Sequence, residues 1–261
     1  GPSSWPAVQP FAPADSRPSP CCRSTHDPLG VSSRMAEHTT TLDQADQLAR
    51  RISGSLVSSV SAAEIGTLSK LPWKLVSARE LLLHRLSSLS ASAVDCYRRR
   101  ESVAAVLLTR ALLETTAMLY SLAAALEACV AAKSVAGVDK ALMNVLFGSR
   151  NEMTSEVATN ILSRIDKVDA HFKGYRWWYD HLSEVAHPNY SGLFDAYGML
   201  DTASATLRLG PNPSMGEFGE KMGIPALCSA LEIAIHVYDE MPQHFPVFVS
   251  LCEAEISAGD A

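Results

Sequence analysis

The stretch SVAAVLLTRALLETTAMLYSLAAALEACVAA, residues 102–132, decides the fold. Read at the helical period it has almost no polar face, because apolar side chains fall nearly all the way round. A helix of that kind lies in the middle of a bundle rather than on its surface. From Val103 to Ala132 the run is interrupted by Arg110, Glu114 and Glu127. A membrane span calls for ~18 or more apolar residues with few or no charges, so the stretch reads as a buried helix and no membrane contact is expected. Its many alanines let neighbouring helices approach closely.

Working outward, the same periodicity recurs on both sides. Leu42, Ala45, Leu48, Ala49 and Ile52 repeat at three- and four-residue spacing until Gly54 interrupts. A second helix is predicted from Pro72, a favourable first-turn residue. It runs through Leu75, Leu81, Leu82, Leu86, Leu89 and Val94 to the cationic run Arg98-Arg99-Arg100. Beyond the central helix, Gly137 and Gly148 bracket a helix over Val138 to Phe147. Another is predicted over Thr154 to Phe172, with Val157, Ile161, Leu162, Ile165 and Val168 as its core stripe. After Gly174 comes the aromatic helix Tyr175–His187, ended by Pro188 and Gly192. Residues 193–209 read either as a helix end or as a short extended piece. Gly210-Pro211-Asn212-Pro213 is a loop, and a last helical region over Pro225 to Glu240 is broken or kinked by Pro242 and Pro246. The expected fold class is all-α, a single-domain bundle of about six to eight helices around residues 102–132.

The chain of 261 residues is 47% hydrophobic, enough for one sizeable core. Residues 35–256 are expected to form that domain and 257–261 a tail. Residues 1–34, rich in Pro and Ser, read as a disordered leader or an appended tail. With 22 basic against 28 acidic residues the net charge is −6, which argues against a broad nucleic-acid-binding surface. A local basic groove near Arg98–Arg100 stays open. The six cysteines, Cys21, Cys22, Cys96, Cys129, Cys228 and Cys252, form no C-x-x-C pair. They read as free, buried thiols in a cytoplasmic protein.

Chemistry concentrates in two places. Arg110 and Glu114 are four apart on the central helix and share its face with Val103, Val106, Leu107, Ala117 and Met118. Charges on an apolar stripe are costly unless paired or used. The pair is therefore either an internal ion pair or an anchor for an anionic ligand. On the aromatic helix, at ~100° per residue, Arg176, Asp180, Ser183 and His187 fall on one stripe. Tyr175, Trp178, Tyr179, Leu182 and Val185 spread over another that faces the core. Such a polar stripe is either the solvent side of an amphipathic helix or the wall of a site. His187, at the helix end before Pro188 and Asn189, occupies a fixed corner. The predicted ligand-binding set is Arg110, Glu114, Tyr179, Ser183 and Asn189.

Glu184-x-x-His187 matches half of a di-iron bundle motif. Glu80/His84 and Glu232/His236 have one residue too many for the other half. No metal and no cofactor is expected; the alternative metal set is Glu114, Glu184 and His187. No G-x-S-x-G elbow supports a Ser-His-Asp hydrolase.

Arg176-Trp177-Trp178-Tyr179-Asp180-His181 resembles the R-x4–6-H signature of the HEPN superfamily, the nucleotide-binding domains of higher eukaryotes and prokaryotes. The wider pattern is also similar to an uncharacterised bacterial helical family with R-x-x-x-E in a central apolar helix (here Arg110 and Glu114). That family carries L-S-x-x-x-H-P at a later helix end (here Leu182, Ser183, His187 and Pro188). The resemblance spans residues 70–240. It implies a helical bundle, often a homodimer, acting on RNA or a nucleotide, in many members as a metal-independent ribonuclease of defence or toxin systems. By that resemblance His181 or His187 would move the proton of the RNA 2′-hydroxyl, and Arg176 would stabilise charge on the phosphorane. Trp177 stands where the active pattern usually has a polar residue. The ~140° between Arg176 and His181 also keeps the two from meeting on one regular helix. The alternative reading is a non-catalytic protein that binds a small ligand or a protein partner at Arg110, Glu114 and His187, and the third a metal-dependent helical enzyme.

Overall fold

The computed structural model describes residues 42–149, 151, 153–158 and 160–259. The chain runs through α1 (42–54), α2 (Ala62–Ile65), α3 (Leu71–Arg98), α4 (Ser102–Ala132), α5 (Val138–Phe147), α6 (Ile161–His171) and α7 (Tyr175–Ala186). A wide π-type turn over Tyr190–Phe194 and the short α8 (Asp195–Tyr197) lead into an antiparallel hairpin, β1 (Gly198–Asp201) and β2 (Thr206–Leu209). Then come α9 (Pro213–Phe218), a second π turn over Gly219–Gly223, α10 (Ile224–Glu240), a 3-10 turn over Met241–His244 and α11 (Phe245–Gly259). The leader 1–34, the start of the domain at 35, and Cys21 and Cys22 lie outside the described residues.

The fold is the all-α bundle expected, and α4 is its axis. Ala105, Val106, Leu112, Leu113, Ala117 and Leu119 on this helix are fully buried, with α3, α5, α6, α7 and α10 packed around them. Buried threonine hydroxyls on α4 are satisfied within the protein, whereas Ser121 Oγ has no partner among the described residues. Thr109 donates to the Ala105 carbonyl at 2.8 Å and shares a 3.1 Å hydrogen bond with the Tyr97 phenol.

The turn from α3 to α4 shows why a 28-residue helix stops where it does. Arg100 takes the left-handed conformation (φ 61°), and the amides of Arg100 and Glu101 bond back to the carbonyls of Tyr97 and Cys96. This doubles the chain back with its last carbonyls capped. Two of the three arginines of the cationic run are occupied, while Arg99 and Arg100 both border a groove with Glu101. Arg98 is held by Asp46 at 2.7 Å and Arg99 by Glu101 at 3.0 Å.

Three sequence expectations shift. The helix predicted from Thr154 begins at Ile161, because the Asn160 side chain accepts from the Leu162 amide and caps it there. Upstream, Ser149 and Val157 pair instead in an isolated parallel bridge. Residues 193–209 hold both alternatives, a helical turn and then an extended hairpin. The break expected at Pro242 and Pro246 is present, α10 ending at Glu240, but helix resumes at once: Pro242 falls in the 3-10 turn and Pro246 in the first turn of α11, where no amide is needed. Consequently α11 reaches Gly259, past residue 257 where a tail was expected. Cys96, Cys129, Cys228 and Cys252 are free and buried, as read from their apolar settings.

Candidate functional site

The aromatic helix α7 is fixed at its start by three devices. Gly174 adopts φ +97°, a conformation other residues resist. The Asp169 carboxylate on α6 accepts from the amides of Gly174 and Arg176, each at 3.0 Å. The buried Tyr175 phenol donates to the Leu113 carbonyl of α4 at 2.7 Å. Tyr179, Leu182 and Val185 then bury against the core. With that face fixed, Arg176, Asp180, Ser183 and His187 line one side of a cleft of about 770 Å³. Leu82 and Arg85 of α3, Arg110, Glu114, Thr115 and Met118 of α4, and Asn160, Ile161 and Leu162 at the start of α6 complete its walls.

At the back of the cleft the polar groups form one relay. Arg110 donates through Nε to Ser183 Oγ at 2.8 Å and through Nη2 to the Tyr179 hydroxyl at 2.7 Å. The Tyr179 hydroxyl donates in turn to Glu114 Oε1 at 3.0 Å, and Glu114 also lies 3.2 Å from Arg110 Nη2. Ser183 donates to the Tyr179 carbonyl at 2.7 Å. Burial, then its hydrogen bond to the Glu114 carboxylate, pushes the Tyr179 phenol above its ordinary pKa, so it stays a neutral donor. Arg110 Nη1 is left without a partner among the described residues. On the opposite wall the Arg85 fork has only Thr115, through Nε at 3.1 Å, which leaves both terminal nitrogens free. The His187 imidazole has no hydrogen-bond partner among the described residues.

Arg110, Glu114, Tyr179, Ser183 and His187 are thus brought together, and Arg176 lies at the rim. Arg176 is already engaged: Asp180 holds its Nε at 2.8 Å and Asp166 its Nη1 at 2.6 Å, which pushes its pKa further up. His181 is elsewhere. It packs at a tilt of 43° against Trp177, ring centroids 4.1 Å apart, bonds through Nδ1 to the Trp177 carbonyl at 2.8 Å, and does not line the cleft. Arg176 and His181 do not form a pair within this chain.

Asn189 is not among the residues that line this cleft. Its side chain accepts from the Gly192 amide and donates to Glu184, capping the π turn after Pro188. Glu184, of the alternative metal set, does not line the cleft that Glu114 and His187 share. Among the described residues no three His, Cys, Asp or Glu side chains converge on one point. Glu80 is likewise structural, buried against Arg79 at 2.6 Å and the Tyr238 hydroxyl at 3.0 Å.

Sequence reasoning missed Arg85, Thr115 and Asn160. Arg85 lies three residues after Leu82 on α3, and that spacing was the one signal that both could border the same groove. Compared with protein-family models, with curated proteins and with solved structures, the chain matches none.

Proposed function

We propose that the cleft between α3, α4, α6 and α7 binds the phosphate group of a nucleotide or of an RNA strand. The observation that carries this reading is the convergence of Arg85, Arg110 and His187 on one cleft with donor atoms left over. Guanidinium forks match phosphate oxygens in a planar, two-pronged way that an ammonium does not. Arg110 lines the cleft, is aligned by Ser183, Tyr179 and Glu114, and keeps Nη1 without a partner among the described residues. The apolar side chains of Leu82, Met118, Ile161 and Leu162 provide a surface for the uncharged part of the ligand.

A second reading, metal-independent RNA cleavage of the kind implied by the HEPN resemblance, is favoured by one observation. His187 offers an unpartnered imidazole at the same cleft as two arginines. In that reading His187, not His181, exchanges the proton of the 2′-hydroxyl, and Arg85 and Arg110 stabilise the phosphorane.

Calorimetric titration with orthophosphate and nucleoside mono- and diphosphates tests the first reading. Binding is expected to weaken roughly 10- to 100-fold in Arg85→Ala, the equivalent of losing a hydrogen bond to a charged group. A folded protein that binds none of them at millimolar concentration overturns it. Labelled RNA incubated with EDTA tests the second. Products ending in 2′,3′-cyclic phosphate, lost in His187→Ala and kept in His181→Ala, are expected; intact RNA sinks it.

A further inference from the structure

Two arginines of the cleft are held by the same small device. On α4 the Thr115 hydroxyl donates its one proton to the Ala111 carbonyl, four residues back, at 2.8 Å. On α7 the Ser183 hydroxyl donates to the Tyr179 carbonyl, again four residues back, at 2.7 Å. A hydroxyl has a single proton, so each of these oxygens is left only to accept. Thr115 Oγ1 accepts from Arg85 Nε of α3 at 3.1 Å, and Ser183 Oγ from Arg110 Nε of α4 at 2.8 Å. Each hydroxyl stands on one helix and its arginine on another, and each takes the nitrogen nearest the stem.

The choice of Nε has a consequence for what the arginines can grip. A guanidinium is planar, with its N–H donors in fixed directions. It meets two oxygens either end-on, through Nη1 and Nη2, or side-on, through Nε and one Nη. An acceptor on Nε blocks the side-on approach and leaves the end. Arg85 keeps both terminal nitrogens without a partner among the described residues, and Arg110 keeps Nη1. Both arginines and both hydroxyls line the same cleft. Back-bonding of a Ser or Thr to its own helix adds little to that helix and can bend it, so helix stability does not account for the pair. Thr115 is only 3% exposed, and its branched side chain has few rotamers to sample.

We propose that Thr115 and Ser183 are positioning residues of the cleft, a matched pair of hydroxyl acceptors that leave Arg85 and Arg110 to meet a phosphate end-on. The inference rests on the phosphate reading above and adds the residues that set its geometry. Neither hydroxyl needs to touch the ligand; each acts through its arginine.

Calorimetric titration of the full chain with adenosine monophosphate and with orthophosphate tests this, alongside circular dichroism melts of each variant. Thr115→Val keeps the shape and deletes the oxygen, while the Ala111 carbonyl retains its main-chain partner in the helix. Affinity is expected to fall about 3- to 10-fold, because the freed fork has more orientations to give up on binding. Thr115→Ser, which retains the acceptor, should bind as the parent chain does. In an Arg85→Ala background Thr115→Val should change nothing further, whereas a disturbance of packing lowers affinity in both backgrounds. Ser183→Ala should weaken binding by a similar factor through Arg110. Parent-like affinity in Thr115→Val or in Ser183→Ala, with Arg85→Ala still weakened, overturns the pairing and leaves the phosphate reading standing. Equal losses from Thr115→Val with and without Arg85 also overturn it, since the threonine then serves packing alone. A parent chain that binds neither probe removes both.

Discussion

Tyr179 is the residue on which the cleft turns. Its hydroxyl accepts from Arg110 and donates to Glu114, so one oxygen sets the distance between a cation and an anion on the same helix. Tyr179→Phe keeps the ring and deletes that oxygen, leaving Arg110 Nη2 to Glu114 alone. We expect a loss of about 1–3 kcal/mol in stability by urea titration, the cost of a hydrogen bond between charged and partly buried groups. Phosphate affinity should fall as well, because Arg110 is no longer aimed. An unchanged affinity would show that Ser183 suffices to hold the fork. The participants were partly legible beforehand. Arg110 and Glu114 stand out as charges on an apolar stripe, and Ser183 and His187 as the polar side of α7. Arg85 was not, because an exposed arginine on an amphipathic helix has the same local pattern whether it faces water or a groove. Asn189 misled for a related reason, since a polar residue after a helix end can line a site or cap the next turn. The Gly192 amide three residues on decided for the cap.

At the scale of elements, the two π turns are where local sequence rules gave way to packing. Gly219–Gly223 joins α9 to α10 in one continuous helical path, and the Tyr97 phenol lies against its two terminal glycines. A Cβ on Gly223 would sit 2.1 Å from the Tyr97 oxygen, which is buried and tied to Thr109. Gly223→Ala should therefore cost about 1–3 kcal/mol, as overpacking does. Gly216→Ala, on α9 with no atom within 4 Å, should be neutral or gain up to about 1 kcal/mol from helix propensity. Equal urea midpoints for the two variants would refute the packing account. Most elements were visible in the sequence because their apolar residues repeat over three or more turns. The hairpin was left open between a helix end and an extended piece because four residues per strand are too few for alternation to stand out. The start of α6 was misplaced because Val157 fits the helical stripe, while the Asn160 cap and the Ser149–Val157 bridge win in three dimensions.

For the whole molecule, the same core that holds α4 on all sides also holds phenols it cannot let ionise. Tyr97 and Tyr175 are 6% and 3% exposed, and burial drives both far above the ordinary tyrosine range. The half-buried Tyr238 is pushed up to about 12. Below pH ~10 neither the folded nor the unfolded chain has lost these protons, and their contribution to stability is intact. Above it the unfolded chain ionises while the folded one does not. Stability then falls with rising pH by about 1.4 kcal/mol per unit for each of Tyr97 and Tyr175. Urea midpoints should drop between pH 9 and 11, and a share of the phenolate absorbance at 295 nm, that of the buried tyrosines, should appear only with unfolding. Smooth ionisation of all seven tyrosines in a chain that stays folded would contradict this. The enclosure of α4 has another outcome, for speed and tightness of capture rather than for acid–base behaviour. The Arg110 side chain is immobilised as the bundle closes, long before any ligand arrives. The ordering entropy of a long side chain, about 0.5–1.5 kcal/mol, therefore falls on folding and not on binding. Arg85, held by a single hydroxyl, still has to surrender its freedom. For the phosphate ligand proposed above, one wall of the cleft would act as a preset template, and the other would be ordered only on binding.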